Sequence, residues 1–281
     1  MEDRSASKKP PEKHRDSAII AASDAMKRVV QRATQAAAYD LPVLITGEIG
    51  TGKGLIASYI HENSARHREP VKTVSCGMLM PDLAASELFG HVKGAFTGAS
   101  YDRPGAWVEA HCGTLVLDDV DLLPLQVQAG VVRAIENREV HPIGSRIANP
   151  ADVRLICTTT LDLMESSVEG SFRSDLYFRL AGFLLAIPPL RDRPEDIQSL
   201  VTQYITTYCK KHNASQPKLS KKMLSELLAY DWPGNVRELL VQLEMAIVLS
   251  GGSKLDFELP SARRRKMPAK HPTSKHRKSQ R

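Results

Sequence analysis

The sequence predicts an α/β fold, a parallel sheet sandwiched by helices, followed by a helical subdomain. Three observations carry this. Five short strand-like runs, at 41–46, 71–74, 114–117, 153–158 and 182–187, alternate with helical stretches, the pattern of a sheet covered on both faces. A glycine-rich segment, Gly47-Glu48-Ile49-Gly50-Thr51-Gly52-Lys53, lies between the first run and a helical stretch. After Pro188-Pro189-Leu190 the pattern becomes wholly helical.

Taken in order, residues 17–39 carry small and apolar residues at helical spacing. Leu41-Pro42-Val43-Leu44-Ile45-Thr46 reads as a buried strand, and 55–62 as a helix after the glycine-rich turn. The runs at 71–74, 114–117 and 153–158 give three more strands, with a helix over 124–137 between the last two, and 182–187 gives the last. Residues 195–212 form one further helix. Ser220 caps a second, with Met223, Leu224, Leu227 and Leu228 on one face. Asn235 caps a third, with Glu238 completing a capping box and Gly251-Gly252 ending it. The expected organisation is a polar, disordered 1–16, an α/β domain 17–190, a helical lid 191–255 and a basic disordered tail 256–281.

Composition excludes several classes. The chain has 281 residues, 42% apolar and 25% charged, enough for a sizeable core. The longest apolar run, 180–187, is too short for a bilayer, which needs about 20 residues. Cys76, Cys112, Cys157 and Cys209 stand far apart, so buried free thiols in a reducing cytoplasm are expected, not disulfides or zinc. The net charge of +6 is misleading: residues 260–281 hold nine Lys/Arg and no acid, which leaves −3 for residues 1–259.

The glycine-rich segment follows a strand and opens a helix. In that context backbone N–H groups and the helix N-terminus face a phosphate, and Lys53 reaches the terminal phosphates. Gly54 stands where Ser or Thr would hold Mg²⁺, and has no side chain to do so. Asp118-Asp119 follows the apolar strand at 114–117 directly; one carboxylate there organises Mg²⁺ and the other orients water, or both are solvated acids opening a loop. Arg173 and Arg179, and Arg237 beside Asn235, read from spacing alone equally as phosphate-directed or as solvated, salt-bridged side chains. Gly94-Ala95-Phe96-Thr97-Gly98-Ala99 suits neither strand nor helix; it is a flexible loop that presents one aromatic and one hydroxyl.

Together residues 47–53, 86–99, 113–119, 171–180, Pro189-Leu190-Arg191-Asp192-Arg193 and 232–239 resemble the central AAA+ ATPase domain of bacterial enhancer-binding proteins, the activators of sigma-54 RNA polymerase, over residues 17–255. The resemblance implies a P-loop NTPase acting as a ring, typically a hexamer, with ATP and Mg²⁺ between subunits. Lys53 would hold phosphates and Asp118 Mg²⁺ with its waters. Arg173 and Arg179 would act in trans, Arg237 would sense nucleotide from the lid, and Phe96 and Thr97 would touch sigma-54. Four positions depart from the family pattern: Gly54 for Glu, Asp119 for the Glu that activates water, Ser75 for an Asn that contacts that Glu, and Thr160 for the Asn of the first sensor.

Asp119 is one methylene short, so its carboxylate falls back by about 1 Å, a misplacement that can cost ~10²-fold in rate. The expectation is therefore retained nucleotide binding with slow hydrolysis. A second expectation is an ATP-binding, non-hydrolysing subunit of a mixed ring with a DNA-binding paralogue. No receiver or sensory domain is expected before residue 17 and no helix-turn-helix after residue 255. The tail 260–281 either holds DNA phosphates non-specifically or is a solvated end.

Overall fold

The structure is a computed structural model that describes residues 19–250 and Leu255. The polar start, the Gly251-Gly252 helix end and the basic tail lie outside the described residues. The chain forms two compact units, Met1–Pro188 and Pro189–Arg281.

In the first unit α1 (Asp24–Ala37) precedes β1 (Val43–Thr46), α2 (Lys53–Glu62) and β2 (Val71–Ser75). There follow α3 (Ala84–Phe89), β3 (Gly90–His91), β4 (Arg103–Pro104), α4 (Ala106–Glu109), β5 (Thr114–Asp118) and α5 (Leu125–Asn137). A hairpin of β6 (Glu139–Val140) and β7 (Asn149–Pro150) leads to β8 (Arg154–Thr159), α6 (Leu163–Val168), α7 (Ser174–Leu180) and β9 (Phe183–Ala186). Five strands make one parallel sheet in the order β2-β5-β8-β1-β9. The first strand is shorter than expected: Leu41 is exposed and lies outside it.

Alternation along the central strands builds the two layers, because successive strand side chains point to opposite faces. Leu44, Leu115, Leu117, Leu155 and Cys157 enter one core with Trp107, Val131 and Leu176 from α4, α5 and α7. Val43, Ile45, Val116 and Ile156 enter the other with Val29 and Ala33 of α1 and Ile56 and Ile60 of α2. Each of the Val, Leu and Ile side chains stabilises by about 1.5–3 kcal/mol when fully buried.

Both sheet edges carry charge. On β2, Lys72 forms an ion pair with Glu109. On β9, Arg32 donates to the Leu184 carbonyl at 2.6 Å and stacks over the Phe183 ring.

In the second unit α8 (Pro194–His212), α9 (Lys221–Ala229) and α10 (Asn235–Ser250) surround Leu190, Val201, Leu227, Trp232, Leu239 and Leu243. Ser220 caps α9 as expected, accepting from the Met223 N–H at 3.1 Å. The buried stripe of α9 is Met223 and Leu227, while Leu228 is exposed, because the helix is covered on one narrow side only. The capping box at α10 is rearranged. The Asn235 side-chain oxygen accepts from Leu190 N at 2.7 Å, and Glu238 reaches back to the Gly234 N–H at 2.8 Å and takes the Tyr230 hydroxyl. The thiols need a correction too: Cys76, Cys157 and Cys209 are buried, but Cys112 is exposed at a turn with φ 61°.

Two predictions follow from this packing. Burial first, then the carboxylates of Asp118, Asp119 and Asp121, push the Cys76 thiol up to about 12, and burial pushes Cys157 up as well. In the folded chain at mildly alkaline pH, iodoacetamide should therefore label Cys112 before any other cysteine, read by peptide mass spectrometry; labelling of Cys76 at an equal rate contradicts this packing. Gly54 lies in α2, is exposed, and an added Cβ there meets nothing within 4 Å. Gly54→Ala should raise stability by about 0.5 kcal/mol in denaturant unfolding, and a loss of stability would show that the site has no room.

Candidate nucleotide-binding site

Parallel pairing sets the site. Thr46 lies opposite Thr159 on one side and Ala186 on the other, and Ser75 lies opposite Asp118. The loop after β1 is tied to this edge by the Gly47 N–H donating to the Thr159 carbonyl at 3.3 Å. Gly50 and Gly52 have φ of 78° and 104°, a region open to glycine at little cost. Gly52 precedes α2 and offers no capping side chain, so no side-chain cap occupies the N–H groups of the first turn. Lys53 is buried, and its ammonium donates to the Gly47 and Glu48 carbonyls at 2.9 and 3.4 Å. The Thr51 hydroxyl donates to the Glu48 carbonyl at 2.8 Å. This is a closed loop around a cation, with helix N–H groups beside it: the donor set that an oligophosphate needs.

At the end of β5 the Asp118 carboxylate accepts from the Thr158 hydroxyl at 2.6 Å, and that hydroxyl accepts from the Asp119 N–H at 3.0 Å. One hydroxyl thus fixes both the first carboxylate and the backbone of the second acid. Asp119 has φ 54° and ψ 58°, a left-handed conformation that Asp tolerates better than most residues. Thr159 donates to Asp121 at 2.6 Å. Thr160 follows the strand and is exposed; the described hydrogen bonds to the acids come from Thr158 and Thr159 instead. Of the Thr158-Thr159-Thr160 run, only the third position is marked by the sequence pattern. The contact of Thr158 with a residue forty positions away leaves no local signal.

Arg173 stands at the N-terminal boundary of α7, where its backbone N–H donates to the buried Gln128 side chain at 2.8 Å. Gln128 in turn donates to the Leu123 carbonyl at 2.8 Å, so α5 fixes this end of α7. The guanidinium itself pairs with Asp175 at 2.8 Å, and that of Arg179 with Glu136 at 2.6 Å; all four side chains are exposed. Arg237 is exposed in the first turn of α10, in the second unit.

The 94–99 loop is closed on itself by Gly94 N donating to the Ala99 carbonyl at 2.8 Å. Phe96 and Thr97 are exposed, while Ala99 is buried and anchors the loop's end. The Phe96 ring meets the buried His91 edge-on at 5.0 Å, and His91 is held by the Ser86 hydroxyl at 2.7 Å. Glu87 and Arg103 pair through two contacts, at 2.5 and 2.8 Å, across the loop's base. The β6–β7 hairpin, absent from the sequence reading, braces the loop: Ile143 N donates to the Gly90 carbonyl at 2.9 Å and Val92 N to the Ile143 carbonyl at 3.1 Å. Its tip is so close that a Cβ on Gly144 would stand 2.8 Å from that of Ala95. Strands of two residues leave no periodicity to read.

Among the described residues no helix is long and apolar enough to cross a membrane. Comparison with known proteins agrees with the fold. The sigma-54 interaction domain family matches residues 19–186, and the AAA+ ATPase lid domain family matches residues 191–276. The transcriptional regulatory protein ZraR of Klebsiella oxytoca is 43% identical over 246 residues, covering 87% of this chain and 55% of that protein. The DNA-binding transcriptional activator HyfR of Escherichia coli is 40% identical over 250 residues, covering 89% of this chain and 37% of that protein. The chain thus spans about half the length of such relatives, or less. The crystal structure of NtrX from Brucella abortus in complex with ATP superposes with a TM-score of 0.79 at 31% identity, covering 85% of this chain and 52% of NtrX. With its parallel five-stranded sheet, phosphate-loop architecture and matching lid, the chain belongs to the sigma-54 interaction domain family of AAA+ transcriptional regulators.

Proposed function

We propose that the chain binds ATP with Mg²⁺ in the 47–53 loop and acts through the 94–99 loop on sigma-54 RNA polymerase, remodelling the closed promoter complex in the cytoplasm. The observation that carries this is the convergence of the phosphate loop, Asp118 and Thr158 at one end of the sheet. In this reading Lys53 exchanges the Gly47 and Glu48 carbonyls for phosphate oxygens, and Gly47, Glu48, Ile49, Gly50, Thr51, Gly52 and Gly54 line the nucleotide. Asp118 keeps acceptor capacity beyond its Thr158 bond, since a carboxylate has about four lone-pair sites, and would hold the metal's water shell. Mg²⁺ supplies charge neutralisation on the phosphates. Asp119 orients the attacking water.

Arg173 and Arg179 reach the ATP of a neighbouring subunit in a ring, typically a hexamer. Their present partners are exposed, and screened surface pairs are weak, so exchanging them for phosphate oxygens sacrifices little. Thr160 and Arg237 sense the nucleotide. Phe96 and Thr97 form the contact with sigma-54, within a surface of Gly94, Ala95, Gly98 and Ala99. The basic tail adds non-specific contact with DNA.

A second reading makes the chain an ATP-binding subunit that turns over little, in a mixed ring with a DNA-binding paralogue. Asp119 favours it: the carboxylate is short, and its backbone is held left-handed against Thr158.

Two measurements test these readings. Steady-state hydrolysis should rise about 10²-fold in Asp119→Glu while ATP affinity stays the same; equal turnover in both forms removes the argument from side-chain length. Mixed with a full-length family member, the chain should change the partner's ATPase rate, and Arg173→Ala with Arg179→Ala should abolish that change. A partner rate indifferent to both forms would sink the shared ring.

A further inference from the structure

The 94–99 loop sets a free segment beside a fixed one. Gly94 and Gly98 have φ of 79° and 102°, and an added Cβ at either would meet nothing within 4 Å, so the tip is under little steric restraint. His91, five residues before Phe96, has none of this freedom. It pairs with Arg103 of β4, and a further bridge joins it to Ile143 of the hairpin. At the preceding Gly90 a Cβ would stand 2.5 Å from the Arg103 carbonyl oxygen, so this strand pair is tightly packed. His91 is buried, and its Nδ1 lies 2.7 Å from the Ser86 hydroxyl of α3. Backbone pairing on two sides and a hydrogen bond at one ring nitrogen hold the imidazole in one orientation.

Phe96 rests on that ring. The two centroids are 5.0 Å apart at 65°, an edge-to-face arrangement that aromatic pairs favour, and Phe96 is left 37% exposed. Part of the phenyl ring is thus covered and the rest faces outward. We propose that His91 is a positioning residue: it holds the Phe96 ring in the orientation in which its outer part meets sigma-54. This rests on the reading of Phe96 as the sigma-54 contact. Ordering an aromatic side chain on a loose loop opposes binding, and a ring already stacked is ordered before the partner arrives. Apparent affinity scales with the fraction of chains in the competent arrangement. An edge-to-face pair favours that arrangement by a factor of roughly three to five. Ser86 acts one step further back, by fixing the imidazole.

His91→Asn separates the ring from the hydrogen bond: its amide offers Ser86 a partner in place of Nδ1 but brings no aromatic ring. Affinity of the ATP-loaded full chain for fluorescently labelled sigma-54 should fall roughly three- to fivefold, with ATP affinity unchanged. In a Phe96→Leu background the same exchange should cause no further fall, because the histidine acts through the phenyl ring. An equal loss in both backgrounds marks general damage to the loop's base and overturns the proposal, as does an affinity that is unchanged or tighter. The contact itself is read without sigma-54. In a full chain labelled with ¹³C at histidine Cε1, the His91 signal is assigned by its loss in His91→Asn. It should shift in Phe96→Leu, while that of His61, bonded to Thr114, stays. A His91 signal indifferent to Phe96→Leu overturns the proposal whatever the affinities show. If the unmodified chain does not bind sigma-54 at all, the reading of Phe96 as its contact falls, and the histidine signal still decides whether His91 orders that ring.

Discussion

The in-register parallel pairing of β5, β8 and β1 is the constraint on which the site depends. Parallel strands end on one side, so the loop after Thr46, the acids after Leu117 and the hydroxyls of Thr158 and Thr159 converge without any sequence proximity. A one-residue slip would reverse which side chains enter each core. It would move Leu115 and Leu117 into the layer of α1 and α2, and Val116 into the layer of α4 and α5. The apolar layers therefore protect the geometry of a polar site to which they contribute no chemistry.

Within that frame the acids are sorted by hydroxyls. A hydrogen bond to a charged group is worth about 1.5–3 kcal/mol, so the Thr158 bond to Asp118 is strong enough to favour one rotamer of that carboxylate. The same hydroxyl receives the Asp119 N–H, which steadies a backbone conformation a strand would not adopt. Asp118 and Asp119, identical in chemistry, are thereby given different surroundings. The 94–99 loop is treated likewise: its base is held by Glu87–Arg103, Ser86–His91 and the β6–β7 hairpin, while Thr97 and the outer part of the Phe96 ring, which rests on His91, stay exposed.

The sequence disclosed what depends on local order. Alternating apolar runs give the sheet, the glycines after Thr46 give the phosphate loop, and Asp118 is visible because it follows Leu115-Val116-Leu117. It hid what depends on distant partners. Thr158 looks like any strand threonine until β8 is laid beside β5. Asn235 has the look of a cap until Leu190 arrives to claim its oxygen. Cys112 resembles the other three thiols, although its turn leaves it in solvent. The brace around residues 94–99 consists of strands too short for any periodicity.

The two outer strands of the sheet have a further significance. An uncovered strand edge is a template for adding another chain's strand, and the usual remedy is a charge placed on it. Here Lys72 with Glu109 guards one edge, and Arg32 occupies a carbonyl of the other. Sheet extension is thereby discouraged at both ends, so these molecules are steered away from open-ended fibres. Contacts made through helices and loops, by contrast, can part and rejoin without breaking a backbone ladder.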